Sequence, residues 1–100
     1  MEQDMIDSTK ENELWIKQIE GFEDSLITKN GAVWSRVVKK WRKFEKSGSG
    51  YLQVALKKDG KLYQPYVHRL VFETFVRKLQ PNEDVHHKNH IRTDNRIENL

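Results

Sequence analysis

The sequence predicts an α+β fold in which a small antiparallel sheet of β-hairpins packs against one amphipathic helix. Two hairpin signals support the sheet: Asn30-Gly31 between β-prone segments, and Asp59-Gly60 after a segment that alternates apolar and polar residues. The helix is predicted over residues 68–79 by apolar side chains at i, i+3, i+4 and i+7, namely Phe72, Phe75, Val76 and Leu79.

The first hairpin is expected to join residues 25–29 to residues 32–36 through Asn30-Gly31. A type I′ turn needs positive φ at both central positions, and the Asn-Gly pair is suited to this. Residues 14–22 lead into this hairpin and approach the core, with Gly21 as a break. Because the turn is short, residues 25–29 and residues 32–36 are expected to pair as antiparallel strands.

A basic segment separates the two hairpins and ends in Ser47-Gly48-Ser49-Gly50, a composition typical of a flexible loop. The second hairpin then runs from Tyr51 to Val67. Leu52, Val54 and Leu56 alternate with more polar neighbours, and Pro65 marks a strand end or a sheet edge. Pro81-Asn82 is expected to end the helix that follows.

Length and composition predict one small domain without covalent cross-links. The 100 residues contain no Cys, which excludes disulfides and Cys-ligated zinc. No apolar run approaches the roughly 20 residues that cross a bilayer, and the acidic N-terminus has no signal-peptide pattern. We therefore expect no membrane association and a cytoplasmic location, in a host cell if the gene is phage-encoded.

The charge is divided between an acidic N-terminal part and a basic body. Residues 1–24 carry a net charge of −6, whereas residues 25–100 carry +9. A basic body favours a polyanionic partner, although Lys and Arg also solvate small surfaces. We divide the chain into an acidic flexible head (1–12), a sheet-plus-helix module (13–80) and a polar C-terminal hairpin (81–100).

The C-terminal segment contains three His within five residues, His86, His87 and His90, and Asn99 twelve residues after the second. Alone, the three His would be interpreted as surface residues. Together with Asn99 the segment resembles the HNH motif of nucleases, which lies on a ββα-metal hairpin. The strings Val67-His68-Arg69-Leu70-Val71 and Arg96-Ile97-Glu98-Asn99-Leu100 extend the resemblance to HNH homing endonucleases of phage type, over roughly residues 14–100.

The resemblance implies that His87 is the general base, that His86 is a metal ligand and that Asn99 ties the loop together and orients the base. The implied cofactor is a divalent metal, Mg²⁺ or Mn²⁺. In the family a helix after that Asn carries the last ligand, and the sequence up to Leu100 contains no such helix. Many relatives also have Asp at the position of His86, and an imidazole suits Mn²⁺ better than Mg²⁺. We therefore expect weak or no activity.

Several further residues have two interpretations. The nearby carboxylates that would replace the missing ligand are Glu83, Asp84, Asp94 and Glu98, although Asp94 also suits a turn and Glu98 a solvated surface. His68, at the start of the helix, is interpreted as a hydrogen-bonded buried histidine in preference to a catalytic one.

The expected partner is duplex DNA, held by basic residues that contact phosphates. The candidates are Arg36, Lys39, Lys40, Arg42, Lys43, Lys57, Lys58, Lys88, Arg92 and Arg96. Two alternatives remain open at this point. One is a non-enzymatic, phage-encoded protein that binds DNA or a host protein of replication, transcription or defence. The other is a nuclease sequence that stops before its catalytic helix.

Overall fold

The fold was obtained as a computed structural model that describes residues 15–100. The predicted acidic head, residues 1–12, lies outside the described residues. One sheet contains four antiparallel strands in chain order. They are β1 (Ile16–Ile19), β2 (Phe22–Thr28), β3 (Val33–Ser35) and β4 (Lys40–Trp41).

Within the described residues, two short ribbons and a helix accompany this sheet. β5 (Glu45–Lys46) pairs with β6 (Leu52–Gln53), and β7 (Leu56–Lys58) pairs with β8 (Lys61–Tyr63). The helix α1 spans Val67–Phe75, and a 3-10 turn spans Ile97–Asn99. The predicted α+β class is confirmed. No helix among residues 15–100 is long and apolar enough to cross a membrane.

The first predicted hairpin is present as β2 and β3, but its turn is not type I′. Only Gly31 has a positive φ, of 86°, whereas Asn30 does not. The backbone N–H of Gly31 donates to the Thr28 carbonyl at 3.0 Å, and Thr28 N–H donates to the Ala32 carbonyl at 2.9 Å. Thr28 Oγ1 also accepts a hydrogen bond from Ala32 N–H, so a three-residue loop with a left-handed Gly replaces the two-residue turn.

The second predicted hairpin has the expected turn, because Asp59 and Gly60 both have positive φ, of 52° and 77°. Its first strand, however, is divided between two ribbons: β6 pairs back to β5, and β7 pairs forward to β8. Between them Val54 is buried, and its N–H donates to the Pro65 carbonyl at 3.1 Å. That bond replaces continuous strand pairing at this position.

The strand β1 was not predicted, because its sequence IKQI shows no clear alternation. It pairs with β2 through a tight turn in which Gly21 has a φ of 84°. Only Ile19 of this strand is fully buried, at 2% exposure. Pairing with a central strand therefore decides its conformation more than its own pattern does.

The helix begins one residue earlier than predicted and ends four residues earlier, at Phe75. Val76 and Arg77 both direct their N–H groups to the Phe72 carbonyl, which marks the unwinding of the last turn. Leu79 N–H instead donates to the Glu73 carboxylate at 3.1 Å. The buried face also differs from the predicted one, since Val76 is 53% exposed. The buried residues lie about one turn earlier, at Val67, His68, Leu70 and Val71.

The core lies between the large sheet and α1, with contributions from β7 and from Val54. It consists of Ile19, Ile27, Val33, Val54, Leu56, Val67, Leu70 and Val71. The C-terminal ββ hairpin predicted for residues 81–100 is wrong: this segment contains turns and the 3-10 turn but no strand. Side-chain hydrogen bonds hold this segment together, and they replace the strand pairing that was expected.

Candidate active site

His87 lies at the centre of the C-terminal loop with its imidazole fixed by Asn95. Its Nε2 is 2.7 Å from the Asn95 amide oxygen, and the two residues are 6% and 4% exposed. An amide oxygen only accepts hydrogen bonds, so Nε2 is the protonated nitrogen in this pairing. Nδ1, which has no protein partner among residues 15–100, then carries the lone pair. This is the tautomer that a base acting through Nδ1 requires.

Asn99 ties the loop together but makes no hydrogen bond with the His87 ring. Its Nδ2 donates to the Asn89 amide oxygen and to the Asp94 carbonyl, at 2.9 and 2.8 Å. Its Oδ1 accepts from the Asn89 backbone N–H at 3.1 Å, and its carbonyl accepts from Lys88 N–H at 2.7 Å. The side chain thus holds the two ends of the loop that carries His87.

Asn95 was missed by sequence reasoning, which gave the orienting role to Asn99. The signal was weak, because Asp94-Asn95 also suits an ordinary turn. Only its burial, at 4% exposure, and its bond to His87 set it apart. Burial of a polar amide indicates a specific partner, since an unpaired one is costly.

An open cleft of about 220 Å³ lies beside His87. Its lining is cationic and aromatic: Tyr51, His86, His87, His90 and Arg92. His86 and His90 are both exposed, and His90 has a left-handed φ of 62°, which is uncommon for a residue other than Gly. The cleft brings together three of the predicted site residues, namely His86, His87 and Arg92.

Two aromatic contacts fix the wall of this cleft. The Tyr51 ring stacks on the rings of His68 and His87, with centroids 4.8 and 5.8 Å apart. The Arg92 guanidinium lies 5.0 Å from the Tyr51 centroid, a cation–π contact, and also donates to the Ser49 carbonyl. Arg92 is therefore held at the cleft and not free to move as an ordinary surface side chain.

His68 is buried, as predicted, but its Nδ1 has no hydrogen-bond partner among residues 15–100, whereas the sequence predicted a hydrogen-bonded histidine. Its ring lies 5.0 Å from that of His87. Burial is the main cause that lowers the pKa of His68 to about 4; the charges of His87 and Arg69 act in the same direction, and Asp84 opposes the shift. The imidazole of His68 is therefore neutral at pH 7.

This depressed pKa predicts a loss of stability in mild acid. The unfolded chain binds a proton near the ordinary pKa of 6.5, whereas folded His68 binds it only near pH 4. Unfolding is therefore favoured as the pH falls from 6.5 to 4. Over this range His68 adds up to about one proton to the difference in proton binding between the unfolded and the folded state. Urea unfolding across this range should show a shallower pH slope for His68→Phe than for the wild type; equal slopes would contradict the assignment.

The four candidate replacement carboxylates each pair with an Arg instead of lining the cleft. Arg96 holds Asp94 through two bonds of 2.7 and 2.8 Å, and keeps the pKa of that carboxyl well below its usual range. The other pairs are Arg77 with Glu83, Arg69 with Asp84, and Arg96 with Glu98. The hydrogen bonds from Arg77 lower the pKa of Glu83 to about 2.

The residues present do not by themselves fit a divalent metal. Among residues 15–100, no group of three or more His, Asp or Glu side chains is placed to hold an ion. His86 offers one exposed imidazole at the cleft, and Mg²⁺ in particular requires oxygen ligands. We therefore derive no chemical step through a metal.

The predicted DNA-contacting residues fall in three places. Lys88, Arg92 and Arg96 belong to the loop around His87, and Lys57 and Lys58 belong to β7. Arg36, Lys39, Lys40, Arg42 and Lys43 follow β3 along the edge of the large sheet. All ten are exposed except Arg42, which is half-buried and donates to the Ala55 carbonyl at 3.1 Å. Arg96 is held by Asp94, so Arg92 is the predicted cation that reaches the cleft.

Comparison with known proteins agrees with this geometry. The family model for HNH endonucleases matches residues 65–100. An uncharacterised HNH endonuclease of Acanthamoeba polyphaga mimivirus is 38% identical over 96 residues, which is 92% of this chain and 24% of the relative. A solved structure of I-HmuI, an HNH homing endonuclease that binds and cleaves DNA, matches this chain with a TM-score of 0.78 and 30% sequence identity.

These matches show that the chain is similar to HNH endonucleases, with the family's motif in residues 65–100. The match to I-HmuI covers 84% of this chain and 49% of that one. The chain therefore spans about a quarter of the mimivirus relative and about half of the solved structure. The sheet-plus-helix part and the loop around His87 both belong to the shared region.

Proposed function

We propose that this chain binds duplex DNA and that His87 acts as the general base for hydrolysis of a phosphodiester bond, which nicks one strand. The observation that carries the proposal is the 2.7 Å contact between His87 Nε2 and Asn95 Oδ1, beside a cleft that contains Arg92. The similarity to HNH endonucleases supports the same reaction class.

In this proposal His87 takes a proton from water through Nδ1 while Asn95 keeps the ring in the required tautomer. General base catalysis of this kind contributes roughly 10²–10⁴ in rate. Arg92, held by Tyr51 and Ser49, provides a positioned cation for a phosphate oxygen. HNH nucleases generally use a divalent metal, and His86 is the candidate ligand that this chain offers.

Plasmid nicking tests the proposed reaction. Supercoiled DNA is incubated with the protein and Mg²⁺, Mn²⁺ or EDTA, and the open-circular form is quantified over time. We expect slow nicking, because no group of three or more His, Asp or Glu side chains among residues 15–100 is placed to hold a metal ion. Absence of nicking while DNA stays bound would contradict the proposed hydrolysis, and the EDTA arm shows whether any nicking depends on an added metal.

DNA binding should depend steeply on salt. If about five phosphates are neutralised by Lys and Arg, log K should fall with log[salt] at a slope near −4.5. Fluorescence anisotropy with a labelled duplex between about 50 and 200 mM salt measures the slope. A flat response would contradict binding through the phosphate backbone.

A second candidate is a non-enzymatic protein that binds DNA or a host protein, in the cytoplasm of a host cell if it is phage-encoded. The observation in its favour is that, among residues 15–100, no group of three or more His, Asp or Glu side chains is placed to hold a metal ion. The nicking experiment separates the two candidates, because a binder retains the salt-dependent affinity and shows no strand cleavage with any metal.

A further inference from the structure

The hairpin turn between β2 and β3 packs directly against the residue that fixes His87. Gly31, in this turn, is buried and has a φ of +86°. A Cβ added there would lie 2.9 Å from the Asn95 Cβ and 3.2 Å from the Asn95 carbonyl oxygen. Real Cβ atoms essentially never approach other atoms to 2.9 Å, so a side chain at position 31 requires Asn95 to move.

Asn95 has little room for such a movement. It is 4% exposed, and the neighbouring Ile97 N–H donates to the Lys29 carbonyl at 2.7 Å, which ties the loop to the same turn. The turn and the loop therefore cannot separate without the loss of this bond. A displacement of Asn95 would be transmitted to its amide oxygen, 2.7 Å from His87 Nε2.

We propose that Gly31 is a positioning residue for His87: the absence of a side chain at this turn lets Asn95 sit where its amide fixes the ring nitrogen that carries the proton. The inference rests on the proposed function, because the tautomer matters only if His87 is the base. It assigns to the N-terminal sheet a part in the site that lies about 60 residues away in sequence.

The chain offers a matched control for the backbone strain. Gly60 has a similar left-handed φ of +77°, but an added Cβ there meets nothing within 4 Å. Gly31→Ala and Gly60→Ala thus share the penalty of a left-handed Ala, and only the first meets Asn95. The comparison separates backbone strain from displacement of Asn95.

The readout is the tautomer of His87, measured from the ring ¹⁵N shifts of ¹⁵N-histidine-labelled protein at a pH where the imidazole is neutral. We expect the Nε2–H form in the wild type and in Gly60→Ala. In Gly31→Ala the share of the Nδ1–H form should rise roughly fivefold or more, as for the loss of one neutral hydrogen bond. Asn95→Ala should produce the same change.

The double variant distinguishes transmission through Asn95 from a general loosening of the fold. Once the amide is gone, a displacement of residue 95 no longer reaches the ring through a hydrogen bond, so Gly31→Ala with Asn95→Ala should match Asn95→Ala in the His87 signals. A wild-type His87 pattern in folded Gly31→Ala, or an equal change in Gly60→Ala, would overturn the inference.

If Gly31→Ala fails to fold, Gly31→Asn and Gly60→Asn replace the pair. Asn tolerates the left-handed region better than Ala, so the added Cβ is tested with a smaller backbone penalty. The same His87 signals decide the outcome. Because this measurement needs neither DNA nor metal, it distinguishes failure of the inference from failure of the proposed nicking activity.

Discussion

We expect His87→Ala to lower the nicking rate by roughly 10²–10⁴, the range for loss of a positioned general base. The substitution removes the imidazole that lines the cleft and leaves Asn95 without its 2.7 Å partner. Binding should change little, because affinity for duplex DNA comes mainly from contacts between cations and phosphates. Nicking rates at saturating protein, with DNA affinity measured separately, distinguish the two effects.

His90→Gly is the matched control for removal of an imidazole from the same cleft. His90 lines the cleft but makes no hydrogen bond with the Asn95 side chain, which pairs with His87, and its left-handed φ of 62° suits Gly. The control should change the nicking rate by less than about tenfold, below the lower end of the range for a general base. Equal rates for the wild type and His87→Ala would contradict the assignment of His87 as base.

The largest expected effect on stability comes from Asn99→Ala. Asn99 is 6% exposed and makes three side-chain hydrogen bonds, two to Asn89 and one to the Asp94 carbonyl. Each such bond contributes about 1 kcal/mol, so we expect loss of the three to cost about 2–4 kcal/mol in the free energy of unfolding. Urea unfolding measures this difference.

Asn82→Ala serves as the control for Asn99→Ala, because Asn82 is exposed and has no side-chain hydrogen bond among the described residues. Its effect should stay within about 0.5 kcal/mol. The amide proton of Asn89, which donates to Asn99 Oδ1, should also exchange faster in Asn99→Ala. An unchanged free energy of unfolding in Asn99→Ala would show that the loop is held by other contacts.

Local sequence signals predicted the fold where local chemistry decides it. Asp59-Gly60 forms the expected turn because both residues take positive φ, and the helix forms where apolar residues recur. Asn30-Gly31 did not form its expected turn, since the Thr28 hydroxyl and carbonyl close a wider loop. Local patterns do not show which strands pair in the folded protein. Such pairing determines that β1 is a strand and that the strand after Tyr51 is divided in two.

The predictions of the helix end and of the C-terminal hairpin were wrong for a related reason. Apolar spacing extends to Leu79, but side-chain bonds from Glu73 and Glu83 satisfy the backbone beyond Phe75 and replace helical ones. In residues 81–100, bonds between Asn and Asp side chains replace strand pairing. Such bonds depend on three-dimensional proximity, which residue spacing does not reveal.

The candidate site was predicted in its chemistry more than in its geometry. The resemblance pointed to His86, His87 and Asn99, and the structure places both His at one cleft and Asn99 in the loop beneath them. Tyr51, Asn95 and Gly31 were not identified, because each is ordinary in sequence. Their importance comes from a ring stack, a buried amide and a close backbone approach.

The central claim is that duplex DNA binds at the His87 cleft. The most direct test is to map NMR chemical-shift changes when a short duplex is added in EDTA. The account predicts salt-sensitive shifts concentrated on Tyr51, His86, His87 and Arg92, the cleft residues on which the proposed reaction depends. Shifts confined to the exposed apolar residues Val37, Val38 and Leu62, with the cleft signals unchanged, would contradict it.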